Sequence, residues 1–303
     1  MEILTNIREV KLNSTIVTVG KFDGLHKGHA KLFDVLSKVS ENRDKVVLTF
    51  EAKPIDVINN MKTRTLVTEK EKQLLCEAKG IDYYISLPLD KDFLDLSPEA
   101  FVKDVLVDHL DVRVFVCGPD FTFGKFGAGN VKLLQKLSKY YDFEVVVVEK
   151  EQYHNFDIGS TEIRKKITEG NIEEANEMLG HSFSVIGIVE EGKKLGRTIG
   201  IPTANVIPDS KKILPPNGAY CTRVIVDGKV YGAVSNVGVN PTVEDGRNIK
   251  IESHIFDFSG DIYGKIIKIE FVKFMRKEQK FTGVDELKNQ IENDIKNAKE
   301  ILA

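Results

Sequence analysis

Histidines at 26 and 29 stand three residues apart in TVGKFDGLHKGHAKLF, the stretch from Thr18 to Phe33, where a strand-like pattern gives way to a helix-like one. Imidazole N–H groups can donate to phosphate oxygens, and Gly20, Gly24 and Gly28 let backbone come close to a ligand. The helix that follows would add free N–H groups and the positive end of its dipole. A glycine turn carrying two solvated histidines reads the same way, so the pair by itself leaves both alternatives open. Zinc binding wants a third clustered donor, and the sequence offers none beside the pair. Cys76, Cys117 and Cys221 are odd in number and far apart, which speaks against a disulfide framework and a thiolate cage; Cys117, after VFV, reads as core.

The elements that must position these residues alternate in the first half. TIVTVG (15–20), KVVLTF (45–50), IDYYISL (81–87), VRVFVCG (112–118) and FEVVVVE (143–149) have the short, β-branched or aromatic composition of buried parallel strands. Between them Leu32, Leu36 and Val39 recur at helical spacing, Thr68 and Glu71 form a capping box, Gly80 is a stop, and Ser97-Pro98 starts another helix. Such βα alternation implies a doubly wound parallel sheet, whose ligands bind outside the carboxyl ends of its strands. The histidine pair lies at such an end. After EEANEMLGHS, strands follow strands, with Asp227-Gly228 as a hairpin turn, and a closed antiparallel barrel or sandwich is expected. VDELKNQIENDIKNAKEILA closes the chain as an amphipathic helix with Leu287, Ile291, Ile295, Ala298 and Leu302 on one stripe.

A length of 303 residues favours two domains, divided here as 1–180 and 181–303. With 42% hydrophobic and 29% charged residues the chain can build real cores, and a net charge of -3 gives no general pull toward nucleic acid or anionic lipid. MEILTNIREV lacks a basic flank before an apolar run, and VVVV at 145–148 is too short to span a bilayer, so the expected location is cytoplasmic, with no membrane and no nucleic-acid partner.

GKFDGLHKGH resembles the GxFDGxHxGH signature of the nucleotidyltransferase module in bacterial bifunctional riboflavin kinase/FMN adenylyltransferases, the FAD synthetase family. IGSTEIRKKI is similar to that family's ISSTxIR element, and GPDFTFGKFGAG to its GxDFxFG loop. A hydroxyl pair at a helix start is by itself an ordinary N-cap. The resemblance implies that Gly20, Asp23, Gly24, His26 and His29 bind ATP and its phosphates, and that Asp23 holds the loop or contacts the nucleotide. It also implies that Ser160, Thr161 and Arg164 receive the pyrophosphate side and that Asp120, Phe121 and Phe123 lie near flavin. Four positions depart from the family pattern: Lys53 replaces a histidine, Thr122 a common arginine, Gly159 a serine, and Lys21 an asparagine or small residue. Lys53 would supply a hydrated point charge in place of a ring.

In the second half, GKKLGRTIGIPTANV resembles the riboflavin kinase GRxLGxPTAN element, and NGAYCTRV, NVGVNPTV and IESHIFDFSGDIYGK follow in the family's order. PTAN alone would read as an exposed turn. The resemblance implies an antiparallel β-barrel riboflavin kinase domain with a terminal helix, in which Gly196, Arg197, Thr203 and Asn205 bind ATP. Thr203 and Asn205 alternate on an extended segment, suiting a hard magnesium ion (Mg2+) held with ATP. Glu252 would accept the riboflavin 5′-hydroxyl proton; outside the ESH context it would read as a solvated strand residue. His254 shares its face, and Arg276 matches a family arginine toward nucleotide or flavin, a surface ion pair being its alternative.

The implied activity is bifunctional: riboflavin and ATP give FMN, then FMN and ATP give FAD and pyrophosphate, with riboflavin, FMN and ATP as partners and the oligomeric state open. The alternatives are a kinase whose N-terminal module is weak or serves another nucleotidyl transfer, and a non-catalytic flavin-binding sensor.

Overall fold

The computed structural model describes residues 1–40, 42–51, 63–88, 90–192, 196, 200–239 and 249–303. The chain packs as two compact units, Met1–Gly159 and Ser160–Ala303.

The first unit is built on a six-stranded parallel sheet of β1 (Glu2–Leu4), β2 (Thr15–Val19), β3 (Asp44–Phe50), β4 (Tyr83–Leu87), β5 (Val112–Cys117) and β6 (Glu144–Val147), in the order β1-β4-β3-β2-β5-β6. Edge strand β1 escapes the sequence pattern because only three residues pair. Alternate residues serve opposite faces. Val17, Val46, Leu48, Phe115 and Cys117 pack against a helix over 98–109 and Leu134 of α3 (Val131–Tyr141, named in chain order). Ile16, Val47, Tyr84, Val114 and Val116 pack against Phe33 and Leu36 of α1 (Lys27–Lys38) and Cys76 of α2 (Glu69–Ala78). Two buried faces explain why the strands read as continuous apolar runs. The Thr68–Glu71 capping box forms with both arms, and Ser97 caps Ala100 ahead of Pro98. Beyond Ala100 the second of these helices widens to π-type hydrogen bonding over Phe101–His109.

The second unit opens with α4 (Ser160–Glu169) and α5 (Ile172–Leu179), followed by β7 (Ser184–Glu190), β8 (Ala204–Val206), β9 (Gly218–Val226), β10 (Lys229–Val239), β11 (Ile249–Ile255) and β12 (Ile266–Lys277). These six strands close an antiparallel barrel in the order β7-β8-β11-β10-β9-β12. Asp227 and Gly228 both have positive φ, 48° and 77°, as the tight hairpin between β9 and β10 requires. Helix α6 (Val284–Leu302) ends the chain, with Ala298 buried against Cys221, Val234 and Phe256. Packing divides the chain some twenty residues before the 180/181 boundary read from the sequence, for a physical reason. Asn176 of α5 donates to Phe271 O at 2.8 Å and accepts from Phe183 N at 2.7 Å, tying the helix pair to the barrel. All three cysteines are free and buried; burial pushes the Cys76 and Cys117 thiols up to about 12 and Cys221 to about 11, so none is poised as a nucleophile.

Candidate active sites

In the first unit β2 is the point where the strand order reverses, and its carboxyl end carries the histidines. Gly20 N bonds to Leu48 O at 3.1 Å, and positive φ at Phe22, Gly24 and Leu25 turns the chain toward α1. A Cβ on Gly20 would lie 3.0 Å from the buried Phe22 ring, which is why glycine stands there. The Asp23 carboxylate accepts from Leu66 N at 2.7 Å and from Val67 N at 3.4 Å, so it holds this loop to the approach of α2.

His26 precedes α1 in an extended conformation, and its ring stacks on that of His29 with centroids 3.8 Å apart. The edge of Phe22 meets His29 at 5.2 Å. His29 Nδ1 is buried and without a hydrogen-bond partner among the described residues. Burial, then the neighbouring His26 and the Lys72 ammonium, hold His29 well below its ordinary value, so its ring is neutral at neutral pH. Buried Lys72 bonds Thr49 Oγ1 at 3.3 Å and pairs with Glu69 at 3.2 Å. The result is a stacked pair of imidazoles in a glycine-lined turn at a helix start, suited to receiving an anion.

The loop after β5 is held by aromatic packing. Phe123 is buried against Phe101 and Phe121, whose ring also packs on Phe115, so these aromatics underpin the loop from within the core. Asp120 is exposed and pairs with Lys150 at 3.1 Å. Thr122 and Lys21 are exposed; at Gly159 a Cβ would meet open space, so that departure removes a hydroxyl without making room. Lys53 and Arg197 lie outside the described residues. Ser160 and Thr161 open α4 with Arg164 one turn on, on the face Ser160 shares.

The barrel gathers its candidates along one rung. Asn205 of β8 pairs in register with Glu252 of β11, Glu252 with Asn236 of β10, Asn236 with Ala219 of β9, and Ala219 with Arg276 of β12. Directly opposed residues share a face with Cβ atoms about 4.5–5.5 Å apart. Thr203, Asn205, Asn236 and Glu252 make no side-chain hydrogen bond among the described residues, and Asn205 is buried nonetheless. A Cβ on Gly192 would fall 2.4 Å from Asn205 Nδ2, and one on Gly196 2.2 Å from Ile201 O; glycine leaves room for both. His254 donates from Nδ1 to Pro202 O at 2.9 Å, fixing the segment that carries Thr203.

Two cavities meet at Thr203. One of about 500 Å³ is lined by Pro202, Ala204, Ser253, Phe258 and Tyr263. The other, of about 590 Å³, lies between the barrel wall and α6 and includes Asn236, Glu252, His254, Leu287 and Ile291. Arg276 borders the second cavity, but its Nε and Nη2 grip the Asp294 carboxylate of α6 at 2.7–3.1 Å. It clamps the terminal helix, a partner the sequence reading had not named. Asn236 was likewise missed.

The parallel sheet and the barrel thus each carry a candidate site of their own, and comparisons with known proteins define the chain as a transferase. A family model described as FAD synthetase matches residues 8–162, and one described as Riboflavin kinase matches residues 179–302. Bifunctional riboflavin kinase/FMN adenylyltransferases of Buchnera aphidicola and Bacillus subtilis are each 36% identical, covering 96% of this chain and 94% and 93% of the relatives. That of Escherichia coli is 35% identical over 97% of this chain and 95% of its own. A crystal structure from Streptococcus pneumoniae, titled a macrolide-efflux protein, is 29% identical over 98% of both chains with a TM-score of 0.88. Among the described residues no helix is long and apolar enough to cross a membrane. The chain belongs to the bifunctional riboflavin kinase/FMN adenylyltransferase family, and both modules of that enzyme family are present.

Proposed function

We propose that the chain makes FMN on its barrel and FAD through its parallel-sheet module, acting in the cytoplasm on riboflavin, FMN and ATP. The observation that carries the first step is the uncommitted set Thr203, Asn205 and Glu252 beside a cavity of flavin size. Glu252 takes the proton of the riboflavin 5′-hydroxyl as that oxygen bonds to the γ-phosphorus of ATP; the bond to the bridging oxygen breaks and ADP leaves. The nucleotide occupies the cavity bordered by Pro202 and Tyr263, and riboflavin the one under α6. Thr203, common to both, stands where donor and acceptor must meet.

Magnesium fits the donor set. The Thr203 hydroxyl and Asn205 carboxamide offer hard neutral oxygens, and among the described residues no cluster of three His, Cys, Asp or Glu forms a self-contained metal cage. When bound with ATP it would neutralise phosphate charge.

For the second step, an FMN phosphate oxygen attacks the α-phosphorus of ATP and pyrophosphate departs, with no protein nucleophile required. His26 and His29 donate N–H groups to ATP phosphates, Gly20 and Gly24 allow the approach, and Asp23 holds the loop. Ser160, Thr161 and Arg164 take the pyrophosphate side. Asp120 and Phe121 border the flavin, with Phe123 supporting them from below. For function, residues 1–180 are assigned to adenylyl transfer and 181–303 to phosphorylation.

A chromatographic time course with riboflavin, ATP and magnesium tests this. Wild type should yield FMN, then FAD. Glu252→Gln should lose FMN formation and keep FAD formation from supplied FMN, while His29→Ala should do the reverse. Loss of both activities in either folded variant contradicts the two-site assignment.

A further inference from the structure

We propose that Asn236 is a positioning residue for the kinase reaction, holding the ribityl chain of riboflavin so that its terminal hydroxyl meets Glu252. The inference rests on the assignment of Glu252 as proton acceptor and deepens it.

Glu252 has a carboxamide on each side along its rung, Asn205 from β8 and Asn236 from β10. The two are not equivalent. Asn236 lines the cavity under α6 together with Glu252, whereas Asn205 is packed beneath Gly192. One carboxamide thus borders the acceptor cavity while the other is buried in the barrel wall. The Asn236 side chain is partly exposed, makes no hydrogen bond among the described residues, and has its Nδ2 3.1 Å from the point where a Gly238 side chain would begin. Gly238 follows on the same face of β10, and the room its missing side chain leaves is taken by the Glu278 carboxylate, which lines the same cavity.

A polyhydroxyl chain is the ligand chemistry such a group reads. A carboxamide offers two N–H donors and an acceptor, and each ribityl hydroxyl can answer either. A carboxylate alone would accept a proton from any hydroxyl within reach. A fixed donor one rung position away selects which hydroxyl that is, and holds it at attack distance.

The test is steady-state kinetics of FMN formation by full-length Asn236→Ala and Asn236→Ser, with Glu252→Gln alongside. Asn236→Ala should lower kcat/KM for riboflavin by roughly tenfold to a hundredfold. KM for ATP and the magnesium dependence should stay at wild-type values, and Asn236→Ser, which keeps a donor, should recover most of the loss. A riboflavin analogue lacking ribityl hydroxyls should respond little to the substitution. Unchanged riboflavin kinetics in Asn236→Ala, with Glu252→Gln inactive, overturns the inference while leaving the kinase reading intact. An active Glu252→Gln overturns the proton-acceptor assignment, and the inference with it. An equal effect on ATP and magnesium also overturns it, by placing Asn236 on the nucleotide side. If Asn236→Ala melts early, the serine variant, with melting temperature checked, decides.

Discussion

Replacing Arg276 by methionine should loosen the terminal helix and thereby switch off the kinase. The guanidinium holds Asp294 through three contacts of 2.7–3.1 Å, and the Asp294 side chain is 4% exposed against 23% for Arg276. Removing Arg276 leaves a carboxylate almost out of water, with the Gln290 amide at 2.9 Å as its remaining side-chain partner. Breaking a buried pair from one side costs about 3–5 kcal/mol; the Gln290 contact favours the lower figure. At about 4 °C per kcal/mol for a unit of this size, melting should fall by on the order of 10 °C. Asp294→Leu should cost less, because the stranded guanidinium is closer to solvent and Nη1 keeps Lys277 O at 3.2 Å. The double variant, with no charge to desolvate, should return close to wild type. Calorimetry of the full chain gives the stabilities, and FMN formation gives the function. Leu287, Ile291 and Asp294 of α6 border the second cavity, so kinase activity should track helix docking, falling in the singles and recovering in the double variant. An Arg276→Met protein that melts normally refutes the clamp. A double variant that is stable but inactive refutes the purely structural role and returns Arg276 to direct substrate contact.

Two other outcomes follow from buried polar groups. His29 binds its proton in the folded chain only well below the unfolded value of 6.5, so the unfolded chain takes the proton first and stability falls as pH drops below 6.5. His29→Asn should flatten that fall in thermal melts between neutral pH and pH about 5, and parallel curves would contradict it. Inside the barrel Ser235 Oγ lies 2.8 Å from Thr222 Oγ1 and 2.7 Å from Ser253 Oγ, all fully buried. Ser235→Ala should destabilise by about 1–3 kcal/mol in urea titrations, since it strips a partner from two buried hydroxyls; a neutral result would mean that they find other acceptors.

The sheet and barrel were legible because their residues carry local signals. Five parallel strands appear as apolar runs, Thr68 and Glu71 as a capping box, and Asp227-Gly228 as a turn. The apolar stripe on α6 was legible as one face; the structure divides it, with Ala298 buried in the core while Leu287 and Ile291 reach the cavity. What stayed hidden depends on partners distant in sequence. Nothing near Arg276 announces Asp294, and nothing near Phe123 says that its ring is covered by Phe101. Asn236 was within reach: counting outward from the Asp227-Gly228 turn pairs it with Ala219, but its pairing with Glu252 needs the register of β10 on β11. The early division of the chain had no local mark either, because it depends on Asn176 reaching Phe183 and Phe271.

With the roles proposed above, the rung through Asn205, Glu252 and Asn236 makes catalysis depend on threading fidelity. A barrel closed with β11 displaced by one residue would keep most of its backbone bonds and its outline, yet Glu252 would turn inward and Ser253 outward. Such a molecule would be folded and inert. Insertion or deletion of one residue within β10 or β11 should therefore be harsher than substitution at most positions there, because it inverts every side chain beyond it. The interior hydroxyls of Thr222, Ser235 and Ser253 act as a checksum for the same frame: they meet one another in one alignment, and any other buries them against apolar neighbours. Beyond their share of stability, they thus raise the proportion of chains that emerge active, a quantity that specific activity reports and a melting curve does not.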